Sequence, residues 1–199
     1  MPVFTPPDKQ YQGYIFDCDG TLANSMPVHY RAWAQATGEF GGQIPEDLFY
    51  ELGGVPTREI VKILNAKYGT NMDPETVATR KEAIYVESIG LIQPIPEVAA
   101  FARHVASFAR VAVASGGYLP VVTRTLAAIG FKDFFAAIVT SEQVKHGKPS
   151  PDLFLEAATR LGVPPRDCLV LEDSVAGFQG ATAAGMEYAV VGRLSPDIA

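Results

Sequence analysis

Apolar and polar positions along this chain fall into two regimes, which change near residues 28 and 92. From residue 92 on, short apolar runs alternate with longer stretches of helical spacing. RVAVAS (110–115), AAIVTS (136–141), CLVLED (168–173) and YAVVG (188–192) read as strands. Each is a near-continuous apolar run, as expected of strands buried on both faces of a parallel sheet. EVAAFARHVASF (97–108), LPVVTRTLAAIG (119–130), DLFLEAATRLG (152–162) and AGFQGATAAG (176–185) read as the helices between them. An earlier run, Tyr14, Ile15 and Phe16, has the same strand character and follows a proline-rich lead-in over residues 1–12. This alternation predicts an α/β fold, a doubly wound parallel sheet with helices on both faces.

Residues 28–91 contain helical stretches only: 29–40, 45–52, 57–69 and 73–91. Asp73 before Pro74 is a good helix start, a capping side chain followed by a proline at the first helical position. Ile60, Ile63, Leu64 and Tyr68 recur at helical spacing and predict one apolar face. Gly41-Gly42 and Gly53-Gly54 punctuate the helices, and Pro94 and Pro96 mark the return to strand and helix alternation. The expected organisation is a core of residues 1–27 and 92–199, interrupted by a small helical domain at 28–91.

Length and composition agree with that picture. The 199 residues suit one core carrying a small insertion, and 48% hydrophobic with 19% charged residues describes an ordinary globular chain. The formal net charge of −6 argues against a nucleic-acid backbone as partner. No apolar run approaches the roughly 18 residues of a membrane helix, so no membrane partner is expected. The start, MPVFTPPDKQ, lacks the basic and apolar regions of a signal peptide, and a cytoplasmic location is the default. Cys18 and Cys168 form neither a disulfide framework nor a CxxC metal site.

The chemistry concentrates at the ends of the strands. In YIFDCDGTLANS (14–25) the first strand stops at Asp17 and Asp19, followed by Gly20 and Thr21. Open α/β sheets hold their ligands at this carboxyl edge. Two unit charges about 4 Å apart repel by roughly 4 kcal/mol at an effective dielectric of about 20, so the pair asks for a cation. Thr21 offers a hydroxyl and an amide to an anion. Ser115 ends its strand as Asp17 does, with Gly116 and Gly117 allowing close backbone approach; a helix cap is the alternative reading. Lys148 stands in HGKPSPDLF with Gly147 and Pro149 holding its loop, where a solvated lysine is the usual outcome. Glu172 and Asp173 repeat the logic of the first acids, and such hard oxygen donors suit Mg2+. Asp173 or Ser174 could equally cap the following helix.

The DxDGT stretch, with Ser115, Lys148 and the LEDS stretch following in order, resembles the signature of the haloacid dehalogenase superfamily. Within it the chain looks closest to the beta-phosphoglucomutase-like group, whose small helical cap is inserted where residues 28–91 lie. The resemblance implies Asp17 as the nucleophile that becomes an aspartyl phosphate, and Asp19 as general acid and base. It implies Ser115 and Lys148 as catalytic phosphate-holding groups. Mg2+ would be held by the Asp17 and Asp173 carboxylates and the Asp19 main-chain carbonyl, with Glu172 nearby or through water. For substrate binding it implies Thr21, Gly116 and Gly117 in the core, and His29, Gly54, Arg58 and Lys81 in the cap. GGVPTREIVKIL (53–64) resembles the group's specificity stretch, with Arg58 reaching a phosphate.

The function so implied is Mg2+-dependent hydrolysis of a small-molecule phosphate ester, a sugar phosphate in the first instance. The chain is expected to act as a monomer, an oligomer staying open. A sugar phosphomutase of the beta-phosphoglucomutase type is the alternative. In those mutases a distal phosphate is gripped by the cap arginine and by polar side chains just after the core serine. Here those positions are Gly117, Tyr118 and Leu119, which favours the phosphatase. From another class, a phospho-accepting receiver-like module also uses aspartate, metal and lysine, but without DGT on its first strand or a helical insertion. A phosphonatase would need a cap lysine, for which Lys62, Lys67 and Lys81 are the candidates. Asn24 stands where the group commonly has aspartate. Cys18 is expected to pack rather than react, Trp33 to pack the cap, and His104 and His146 to lie at the surface or cap helices.

Overall fold

A computed structural model describes residues 4–53 and 55–192. The chain divides into two compact units, Met1–Asn24 with Gln93–Ala199, and Ser25–Ile92. Among the described residues no helix is long and apolar enough to cross a membrane.

In the first unit β1 (Gly13–Phe16), β2 (Arg110–Ala114), β3 (Ala137–Val139), β4 (Cys168–Glu172) and β5 (Glu187–Val190) form one parallel sheet in the order β3-β2-β1-β4-β5. The topology is doubly wound, with β1 at the centre between β2 and β4. Strand alternation assigns the faces. On one face Ile15, Ala112, Ala114, Val139 and Val170 pack against helix α7 (Asp152–Leu161). That helix buries Leu153, Phe154, Ala157, Ala158 and Leu161 and ends at Gly162, whose φ of 63° suits a residue without a Cβ. On the other face Tyr14 meets Phe101 of α5 (Pro96–Val105) edge-on at 5.6 Å. Phe16 meets Phe135 there at 5.9 Å. With both faces covered, the period-two polarity of an exposed sheet is lost in β1, β2 and β4, which is why they read as apolar runs, whereas the edge strand β5 is exposed over Glu187 and Tyr188. The run 136–141 is strand only over Ala137–Val139; Ser141–Gln143 turns into a short 3-10 helix. Helices α6 (Leu119–Ala128) and α8 (Val175–Ala183) complete this unit.

The chain leaves and re-enters this unit side by side. The Asn24 amide donates to the Gln93 carbonyl at 2.9 Å, the Ile95 amide to Leu22 at 2.9 Å, and Ala23 bridges Pro94. The second unit is all helix: α1 (Met26–Glu39), α2 (Glu46–Glu51), α3 (Thr57–Tyr68) and α4 (Pro74–Glu87). Asp73 caps α4, accepting from the Thr76 amide at 2.8 Å. Trp33 is buried within it. The face of α3 differs from the spacing expectation. Ile60, Val61 and Leu64 are buried, while Ile63 is exposed, because α4 packs on the side of the helix that carries Val61.

Candidate active site

Parallel register sets the centre of the site. Phe16 pairs with Leu171, and the ladder continues as the Asp17 amide donates to the Leu171 carbonyl at 2.9 Å. Asp17, one residue further on, therefore stands beside Glu172 and Asp173 at the carboxyl edge. One ligand oxygen from each of the three carboxylates lies within 4.8 Å of the others.

Lys148 ties this edge together. Its Nζ donates to Asp17 Oδ1 at 2.6 Å and to Glu172 Oε2 at 2.7 Å, with all three side chains almost wholly buried. The loop that brings Lys148 in is held by Asp152, which accepts from the His146 amide at 3.1 Å and from Ser150 Oγ at 2.7 Å. On the other side Glu172 Oε1 accepts from Ser174 Oγ at 2.6 Å, and Ser174 caps α8 through the Gly177 amide. Thr21 Oγ1 donates to Asp173 Oδ1 at 3.1 Å. Of the two readings of the LEDS stretch, capping falls to Ser174, and Asp173 is left facing the carboxylates.

Three carboxylates share one ammonium here, and the protonation of Asp17 and Asp173 reflects the crowding. Burial, then the Glu172 charge, pushes the Asp17 carboxyl well above its usual range against the pull of Lys148. Burial and Glu172 likewise push Asp173 up to about 7. Burial alone would lower Lys148, but the Asp17 and Glu172 charges outweigh it and hold the ammonium above its ordinary value. The excess of negative charge, met by oxygen donors only, fits a hard divalent cation such as Mg2+. Gly20 keeps the space clear: its φ is 91°, and a Cβ there would fall 2.1 Å from Asp173 Oδ2.

The Asp19 carboxylate is not one of the clustered three. It sits on the tight turn in which the Gly20 amide donates to Ala23 and the Leu22 and Ala23 amides donate to Cys18. Beside it lies the loop after β2, where a Cβ on Gly117 would come 4.0 Å from Asp19 Oδ2. Ser115 is buried there, its amide donating to Val139 and its Oγ accepting from the Gly117 amide at 3.1 Å. Gly116 faces open space. Cys18 is fully buried, and burial followed by the Asp19 and Asp17 charges pushes its thiol far up, so it packs as a small apolar residue.

The expected residues His29, Arg58 and Lys81 make these contacts within the helical unit. Lys81, buried, lies 3.0 Å from His29 Nδ1 and 3.0 Å from Glu82 Oε1, and His29 stacks on Tyr85 with centroids 3.9 Å apart. Arg58 forms a two-pronged ion pair with Glu75 on α4, one arm at 2.9 Å. Gly54 lies outside the described residues. Sequence reasoning passed over Ser141, Glu142 and Gly177. Gly177 had a readable signal, as the third residue after a capping serine; a Cβ on it would fall 2.0 Å from Glu172 Cδ.

Asp173→Ala is expected to raise the Mg2+ concentration for half-maximal turnover by at least about tenfold, since losing a direct oxygen donor should cost no less than losing an outer-shell partner of one. A metal titration of the rate measures it, and full activity in excess chelator would contradict a cation at this cluster.

Comparison with known proteins agrees with this geometry. Residues 11–185 match the family model described as haloacid dehalogenase-like hydrolase. The chain is 35% identical over 180 residues to the fructose-1-phosphate phosphatase YqaB of Escherichia coli (strain K12), covering 90% of this chain and 95% of that protein. It is 30% identical over 193 residues to the beta-phosphoglucomutase of Bacillus subtilis (strain 168), covering 92% and 84%. The solved structure of CbbY from Rhodobacter sphaeroides in complex with phosphate aligns with a TM-score of 0.81 at 25% identity, over 90% of this chain and 85% of that one. On the match to its family model and on these relatives, the chain belongs to the haloacid dehalogenase-like hydrolases.

Proposed function

We propose that this protein is a Mg2+-dependent phosphatase that hydrolyses a small phosphate monoester, a sugar phosphate, through an aspartyl phosphate on Asp17. The observation that carries the reading is Lys148 Nζ bridging Asp17 and Glu172 beside a three-carboxylate cluster. An aspartate at a strand end, paired with a fixed ammonium and close to a divalent-cation site, is equipped to attack phosphorus.

In this reading one Asp17 oxygen attacks the phosphorus in line, and the bond to the ester oxygen breaks. Asp19, protonated, gives its proton to that oxygen as the alcohol leaves. Lys148 and Ser115 neutralise and hold the phosphoryl oxygens during transfer. Asp19, now a carboxylate, takes a proton from water as the water attacks the aspartyl phosphate, which returns Asp17 and releases inorganic phosphate. Mg2+, held by Asp17, Asp173 and the Asp19 main-chain carbonyl with Glu172 near, would supply positive charge to the phosphoryl group. Arg58, His29 and Lys81 would serve substrate binding from the helical unit.

Phosphate release from a panel of esters, with and without Mg2+, tests the proposal. Fructose 1-phosphate leads the panel because the Escherichia coli relative is a phosphatase for it. No phosphate release from any ester in saturating Mg2+ would overturn the reading.

The Bacillus subtilis relative keeps phosphomutase as the second reading. Against it, Tyr118 and Leu119 bring no amide or ammonium side chain to the loop after Ser115. A charge-assisted bond to a phosphate is worth about 1.5–3 kcal/mol, so each missing one weakens a second phosphate tenfold or more. With β-glucose 1-phosphate, Mg2+ and a trace of glucose 1,6-bisphosphate, free phosphate is expected to appear faster than glucose 6-phosphate. The reverse order would make the protein a mutase. Family membership leaves the receiver-like module without support.

A further inference from the structure

The first turn of α6, which follows the Ser115 loop, has its amides already committed. The Leu119 amide donates to Glu142 Oε1 at 2.7 Å. Pro120 has no amide hydrogen, and the Val121 and Val122 amides both donate to the Tyr118 carbonyl at 3.0 Å. Upstream, the Gly117 amide is taken by Ser115 Oγ. The short 3-10 turn that carries Glu142 is fastened to the same loop, since the Ser141 amide and its Oγ both donate to the Gly117 carbonyl at 3.2 Å. Gly117 in turn lies beside Asp19. The Glu142 carboxylate is thus fixed at the carboxyl edge of the sheet, against the loop whose Gly117 runs beside Asp19. Burial pushes the Glu142 carboxyl up, but hydrogen bonds from the Leu119 amide, its own amide and the Thr140 hydroxyl together outweigh that and hold it below the usual range, so it is ionised at neutral pH.

A helix N-terminus with free amides draws anions. In this protein a fixed carboxylate takes that place, held against the loop that passes Asp19. We propose that Glu142 is a specificity-determining residue that turns away substrates bearing a second phosphate, so that the site takes monophosphates in preference to bisphosphates. The proposal rests on the phosphatase reading. It adds to it a charge filter in the core, supplied by a residue outside the reacting groups. Glu142 is exposed, so its repulsion is open to screening by salt.

The test compares kcat/KM for fructose 1-phosphate and fructose 1,6-bisphosphate in the wild type, Glu142→Gln and Glu142→Lys. Glutamine keeps a carbonyl to accept from Leu119 and removes only the charge. At an ionic strength of about 0.01 M, where screening is weakest, the bisphosphate-to-monophosphate ratio is expected to rise about threefold to tenfold in Glu142→Gln. It should rise further in Glu142→Lys, and the differences should shrink at about 1 M salt. A wild type that prefers the bisphosphate would overturn the proposal. So would an unchanged ratio in both variants, including equal losses for the two esters, which would make Glu142 a helix cap only. If fructose 1-phosphate is not hydrolysed, the comparison uses whichever monophosphate of the panel is, with its bisphosphate; a wild type that releases phosphate from no ester of the panel defeats the phosphatase reading itself, a result distinct from a flat ratio in an active enzyme.

Discussion

Asp17→Asn is expected to abolish turnover, lowering kcat by at least about 10⁴-fold, while the protein stays folded. An amide has the shape of the carboxylate but no anionic oxygen to attack phosphorus, so no aspartyl phosphate forms. The fold has little reason to suffer. Phe16 still pairs with Leu171 and Val113, the Asp17 position still donates its backbone amide to Leu171, and Lys148 keeps Glu172 as a partner. The substitution also removes one of three crowded buried carboxylates, which Asp17 shows by preferring its proton far more than an exposed acid does. Thermal unfolding without added cation should therefore occur at or above the wild-type temperature. The measurements are the rate of phosphate release and the melting curve. Wild-type turnover in the metal-loaded variant would remove Asp17 as nucleophile.

Asp19→Ala is expected to divide substrates by their leaving group. General acid catalysis contributes typically about 10²–10⁴-fold, and it matters most where the departing oxygen is strongly basic. A sugar alkoxide needs the proton; p-nitrophenolate needs far less. In the first, phosphorylating step the variant should lose about 10²–10⁴-fold on a sugar phosphate and much less on p-nitrophenyl phosphate. The geometry suits the assignment because Asp19 stands apart from the clustered three carboxylates, on a turn facing Gly117. Equal loss of the phosphorylation step for both esters, read in single-turnover experiments, would count against an acid at this position.

The residues behind both predictions are legible in the amino-acid sequence, and the reason is local. DxDGT reads from a strand run, two acids and a glycine within eight residues, and the sheet follows from runs buried on both faces. Ser115, Lys148 and the LEDS stretch are readable as strand ends or the loops just beyond them. Each of these alone has a plain alternative, and it is their order along the chain that carries weight.

Other features depend on residues far apart in sequence. That Lys148 reaches Glu172 as well as Asp17 depends on the register of β1 against β4 and on Asp152 holding a loop. Neither is encoded within a window of the chain. Ile63 matches the helical period of α3 as well as Val61 does, and only the position of α4 decides which of them is buried. Arg58 and Glu75 are 17 residues apart and meet because α3 packs on α4, so the arginine's compensated charge could not be read from GGVPTREIVKIL. Glu142 reads in sequence as one more surface acid. Its carboxylate meets the Leu119 amide 23 positions away because β2 and β3 are neighbours in the sheet, which brings the turn after one against the loop after the other. The chemistry at the strand ends follows from local pattern, since a parallel sheet must point its carboxyl edge one way. Which charges are matched, and which stand ready against a substrate, follows from packing that brings separate strands and helices together.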